Sequence, residues 1–85
     1  MAWFLYMVRC SDDSLYTGIT TDIERRIRTH NAKKGAFYTK NKLPVKLVYQ
    51  EKIRGGRSEA LKRERSIKKL TRKEKLEFLG KKRRY

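Results

Sequence analysis

Two charges stand where the spacing calls for apolar side chains. Arg26 falls on the helical stripe Ile23, Arg26, Ile27, His30, and Glu64 falls on the stripe Ala60, Leu61, Glu64, Ile67. A charge buried on such a stripe without a partner costs several kcal/mol, so each must be paired, exposed in a cleft or bound to a ligand. Two readings stay open from the pattern alone. One is a structural ion pair between two helices packed on one sheet; the other is a phosphate-binding arginine opposite a metal-binding carboxylate. Both readings place the two charges in the same layer.

Tyr6 and Tyr16 lie on short apolar segments on either side of the polar cluster Ser11-Asp12-Asp13-Ser14. Either is an ordinary strand aromatic by composition. Gly18, two residues beyond Tyr16, weakens a strand unless something must approach the backbone closely, and a ligand is one expected occupant of that place.

The elements that must carry these residues follow from pattern. Trp3 to Cys10, the polar turn and Leu15 to Ile19 read as an antiparallel hairpin. Alternation puts Phe4, Tyr6 and Val8 on one face and Trp3, Leu5 and Met7 on the other. Both faces are apolar, so the strand is expected at the centre of a sheet covered on both sides, with Val45 to Tyr49, entered through Pro44, as the third strand. Thr21-Asp22-Ile23-Glu24 fits a capping box with Thr21 as the cap, opening a helix to about Ala32. Lys33 to Leu43 reads as a loop anchored by Phe37 and Tyr38. After Gly55-Gly56, Ser58 is the expected cap of a helix to about Lys69. Thr71-Arg72-Lys73-Glu74 repeats the capping box and starts a last helix carrying Leu76, Phe78 and Leu79, with Gly80 as its stop. The fold class expected is α+β, a small central three-stranded antiparallel sheet flanked by helices, with residues 1–80 as one domain and 81–85 as a solvated basic tail.

Composition bounds the partners. Eighty-five residues allow one domain, and a formal net charge of +15 favours a polyanion. From Lys52 onward there are fifteen Lys or Arg against four Glu, so the later half is the expected electrostatic footprint. Within it Lys62, Arg63, Lys68, Lys69 and Arg72 are candidates for sequence-independent phosphate contacts. One Cys and one His argue against a zinc cluster and against a disulfide framework, and fit a reducing cytoplasm. The apolar opening Met1 to Val8 is too short for a signal peptide or a membrane span. No helix combines a continuous apolar face with a basic one, which argues against a membrane-surface role.

The order Tyr6, Tyr16-Thr17-Gly18, Asp22-Ile23-Glu24-Arg25-Arg26, His30, then Glu64 ahead of Ile67-Lys68-Lys69 resembles the GIY-YIG nuclease superfamily over about residues 3 to 79. It is most similar to small stand-alone members related to Slx-type and UvrC nuclease domains. Phe4-Leu5-Tyr6 stands where the first tripeptide lies and keeps only its Tyr; Tyr16-Thr17-Gly18 stands for the second, with Thr in its middle. A polar residue that follows the last helices in some branches has no counterpart here. The resemblance implies that Tyr6, Tyr16, Arg26, His30 and Glu64 are catalytic, with Glu64 holding one divalent ion, magnesium or manganese. It further implies an endonuclease that hydrolyses phosphodiesters in branched or damaged DNA during repair or recombination, with RNA as the other polyanion. Tyr6 is the favoured base and His30 a holder of a Tyr hydroxyl or a proton relay. A protein partner or homodimer is the expected source of substrate recognition. The alternative is a basic nucleic-acid binder that keeps the fold without the chemistry.

Overall fold

The computed structural model describes residues 2–82. The hairpin forms as the polar cluster suggests: Asp12 accepts from the Ser14 amide at 3.0 Å while Asp13 takes the left-handed conformation at φ 68°, a conformation that Asp tolerates better than most residues. This turn joins β1 (Trp3–Arg9) to β2 (Leu15–Thr20), with Tyr6 directly opposite Gly18. The third strand, β3 (Lys46–Ile53), pairs antiparallel with the other edge of β1, giving the order β2-β1-β3. The doubly apolar strand is thus the central one, and the α+β class holds.

Alternation along β1 divides the interior in two. Leu5 and Met7 pack with Ile67 and Leu79 on one face; Tyr6 and Val8 pack with Cys10 and Val45 on the other. Each fully buried apolar side chain stabilises the fold by roughly 1.5–3 kcal/mol, so both clusters matter in a domain this small. Helix α1 (Ile23–Asn31) covers the Tyr6 face through Ile23 and Ile27, whereas α2 (Arg57–Lys68) and α3 (Arg72–Lys82) cover the Leu5 face. Arg26 and Glu64 therefore approach from opposite faces, not from the same layer: α2 follows β3 and seals the face that α1 leaves open.

Several boundaries move for identifiable reasons. The α1 cap is Asp22, one residue after the expected Thr21, because the Asp22 carboxylate accepts from the Arg25 amide at 3.1 Å while the Thr20 hydroxyl accepts from the Asp22 amide. Helix α2 starts from Gly56 without a side-chain cap, so Ser58 lies inside it. Strand β3 runs past Tyr49 to Ile53, because it pairs with β1 as far as Trp3, and Glu51 within that stretch is gripped by Arg63 of α2 at 2.9 and 3.1 Å and accepts from the Tyr49 hydroxyl. At α3 the capping box forms reciprocally, Thr71 N–H to Glu74 at 2.8 Å and Glu74 N–H to Thr71 Oγ1 at 3.1 Å. That helix passes through Gly80 to Lys82, and Leu76 faces solvent at 49% exposure instead of joining the core. Of the expected tail, residues 83–85 lie outside the described residues. No described helix is long and apolar enough to cross a membrane.

Candidate active site

On the α1 face, packing brings three of the singled-out residues into hydrogen-bond contact. Arg26 Nε–H donates to the Tyr6 hydroxyl oxygen at 3.2 Å, and that hydroxyl lies 2.8 Å from His30 Nε2. His30 Nδ1 in turn lies 2.8 Å from the hydroxyl of Thr39, in the one-turn 3-10 segment Phe37–Thr39. Thr39 donates its own proton to the Ala36 carbonyl at 3.0 Å. Counting donors assigns the direction of every link. With its proton committed, Thr39 accepts from Nδ1–H; Nε2 then carries a lone pair and must accept from Tyr6 O–H. The chain reads Arg26 to Tyr6 to His30 to Thr39 to Ala36.

Burial shapes its electrostatics. Tyr6 is 1% exposed and His30 fully buried. Burial pushes the Tyr6 phenol above its usual value, an effect that the Arg26 hydrogen bond and charge oppose without reversing. Burial pushes His30 down, and the Arg26 charge adds to this, so the imidazole is neutral. The hydrogen bond to Tyr6 pushes Arg26 upward and keeps it charged.

Tyr16 joins through ring contacts, its centroid 5.5 Å from His30 and 6.4 Å from Tyr6. Gly18 is required beside it: a Cβ there would lie 2.6 Å from the Tyr6 hydroxyl, so any side chain would displace the phenol. Glu64 arrives from across the sheet. Its charge acts to raise the Tyr6 phenol, and it pairs with Lys68 at 3.4 Å. Lys68, one turn further along α2, reaches past the β2 edge to within 5.8 Å of the Tyr16 ring centre. The ion pair between Arg26 and Glu64 does not form: Arg26 gives its Nε–H to Tyr6, and Glu64 takes Lys68.

Among the described residues no three His, Cys, Asp or Glu side chains cluster as a metal cage. A single carboxylate at the site rim fits a hard cation that retains waters and takes its remaining oxygens from a substrate phosphate. Lys68 would then have to yield Glu64.

Thr39 and Gly35 are the residues that sequence reasoning missed. Thr39 is fully buried yet sits in a polar loop, where nothing periodic marks it. Gly35 lets that loop close over the imidazole, since a Cβ there would fall 2.3 Å from His30 Nδ1. Among the candidate phosphate contacts, Lys68 and Arg72 line hollows along β2. Arg63 is committed to Glu51, Lys62 pairs with Glu59 at 3.3 Å, and Lys69 is exposed.

The fold and this cluster define a GIY-YIG catalytic domain: the family of that description matches residues 2–77. The chain belongs to that family, among its small UPF0213 members. A UPF0213 protein of Staphylococcus haemolyticus is 54% identical over 76 residues, covering 89% of this chain and 92% of that one. Two solution structures are similar throughout. A protein of E. faecalis matches with TM-score 0.63 and 42% identity, over 95% of this chain and 85% of that one; a UPF0213 protein of Bacillus halodurans matches with 0.60 and 38%, over 94% and 84%. The domain is of nuclease type, and a nucleic-acid substrate goes with it.

Proposed function

We propose that this protein is a divalent-metal-dependent DNA endonuclease that hydrolyses phosphodiesters, with branched or damaged DNA as substrate and repair or recombination as setting. The observation that carries this reading is the directed chain Arg26, Tyr6, His30, Thr39, in which a phenol sits between a guanidinium and an imidazole on a strongly basic protein.

Arg26 offers the donors that its contact with Tyr6 leaves over to the phosphate, where negative charge builds on the oxygens in the transition state. Tyr6 is the proton acceptor for the attacking water. Burial makes its free phenolate scarce, so it acts by exchange: the water proton moves to the phenol oxygen as the phenol proton moves to His30 Nε2. The water oxygen bonds to phosphorus, and the leaving oxygen departs with the electron pair of the broken bond and takes a proton from solvent. The charge on Arg26 opposes protonation of His30, and an arriving phosphate offsets that charge, so His30 becomes a better acceptor when substrate is bound. Tyr16 positions the water. A magnesium or manganese ion held by Glu64 would supply charge stabilisation on the phosphate and leaving oxygens. The free, buried Cys10 suits a reducing cytoplasm.

The test is cleavage of a panel of branched, nicked and plasmid DNAs with magnesium or manganese. Wild type should cut at least one, while Arg26→Ala and Glu64→Gln should bind the same DNAs and leave them intact. Equal inertness of all three proteins on every substrate would leave only the binder.

A further inference from the structure

Tyr16 and Thr17 point to opposite faces of β2, yet both line one hollow of about 400 Å³, together with Leu15, Tyr38, Lys68 and Lys75. A second hollow of about 260 Å³ shares Leu15, Tyr38 and Lys75 with it and adds Ser14 and Arg72. They form one groove along the β2 edge, the edge that β1 leaves unpaired in the order β2-β1-β3. One wall is aromatic. Tyr38 stacks on Tyr16 at 5.8 Å between centroids, carries the Lys42 ammonium 3.8 Å from its ring centre, and remains 44% exposed. The other wall is cationic, built from Lys68, Lys75 and Arg72 on the helices of the opposite face. On the floor is an independent sign of a ligand. Thr17 is 3% exposed, and its hydroxyl has no hydrogen-bond partner among the described residues. Buried hydroxyls are almost always satisfied, so one left over at a groove floor calls for a polar atom from outside the chain, a water or a ligand that replaces it.

We infer that this groove holds an unpaired nucleotide of the substrate, in a single-stranded arm leading from the candidate active site: its base lies against Tyr38 and Tyr16, its phosphate on Lys68, Lys75 or Arg72, and one of its oxygens bonds the Thr17 hydroxyl. This rests on the nuclease reading and narrows its substrate. A duplex does not suit the same surface, because its base faces are stacked against one another and are not free to lie on Tyr38 and Tyr16. Aromatic walls with adjacent cations are how proteins hold single strands without reading their sequence. The shared chemistry is that of single-stranded DNA or RNA.

The test uses the full chain carrying Glu64→Gln, in EDTA, so that nothing is cut. Binding is measured by fluorescence anisotropy with single-stranded DNA, single-stranded RNA and duplex DNA of one sequence, roughly 12 nucleotides long. Adding Tyr38→Ala or Thr17→Val should weaken single-strand binding on the order of tenfold and leave duplex binding unchanged. Tighter DNA or tighter RNA binding identifies the source, and either agrees with the inference. Thr17→Val keeps the side-chain shape and removes an unsatisfied hydroxyl, so its melting temperature should hold or rise while its affinity falls. The inference is overturned if both substitutions leave single-strand binding intact, or if they weaken duplex and single strand equally. Failure of the groove inference beside DNA cleavage by the wild-type chain with magnesium or manganese would spare the nuclease reading. Single-strand binding by a protein that cuts nothing would do the reverse.

Discussion

Strand β1 serves two faces of one sheet, and they are built on different terms. On the α2 and α3 side, Leu5 and Met7 meet Ile67 and Leu79 in an apolar cluster, and the polar clamp of Arg63 on Glu51 stays at its margin. On the α1 side, one residue along the same strand, Tyr6 is buried against an imidazole and a guanidinium, and the imidazole in turn rests on a buried threonine hydroxyl. A domain of this size has little apolar area to spare, yet on this face it buries Tyr6, His30 and Thr39 beside Val8, Cys10 and Val45, and the burial of those three is tolerable only because each is hydrogen-bonded. The first face keeps the chain folded. The second spends stability on holding a hydrogen-bond chain in one orientation, which the proposed function uses as a proton path, the stability–function compromise expected where local rules are broken.

That contrast can be broken at Arg26 with the phenol left in place. Arg26→Lys retains the charge but loses the Nε–H bond to Tyr6 and the planar fork; cleavage should fall about a hundredfold while the melting temperature moves little, as single-turnover kinetics and a thermal melt would show. The opposite pattern is expected across the sheet. Ile67→Ala should cost about 3 kcal/mol in denaturant unfolding and leave the folded fraction cutting at the normal rate. Next comes Thr39→Val, which preserves shape but strands the His30 Nδ1 proton. Cleavage should drop roughly tenfold with a changed pH profile, Thr39→Ser should restore both, and stability should fall by about 1–2 kcal/mol.

The smallest effect is a pH slope. His30 titrates lower in the folded chain than its ordinary value of 6.5, so the unfolded chain binds the extra proton first. The stability tied to neutral His30 is therefore complete above about pH 6.5 and is lost as pH falls through the depressed folded value. Denaturant midpoints taken at intervals downward from neutral pH should decline in wild type and decline less in His30→Gln. An unchanged slope in the variant would mean that another group governs the acid side.

Much of this contrast is legible in the chain because it depends on local periodicity. Apolar residues on both faces of Trp3 to Arg9 announce a central strand, the spacing of Ile23, Arg26, Ile27 and His30 aims the polar pair inward, and Thr71 with Glu74 marks a helix start that forms as read. What escapes detection depends on tertiary contact. Thr39 has no periodic neighbour to mark it, and only the closing of the loop at Gly35 carries it to His30. The extension of β3 through Gln50, Glu51 and Lys52 relies on pairing with the start of β1 and on Arg63 of a later helix holding Glu51, so strand propensity alone stops short. Leu76 looks like core by type, but α3 turns it outward. The opposite-face approach of Glu64 follows from where α2 crosses the sheet, which helical spacing cannot specify.

The most direct measurement is single-turnover cleavage by Tyr6→Phe, read beside DNA binding and thermal stability of the same protein. Removing one hydroxyl from the middle of the chain should abolish product formation, while DNA affinity is retained and the protein stays folded. Wild-type cleavage by a folded Tyr6→Phe protein would contradict the proton path, and with it the role given to His30 and Thr39.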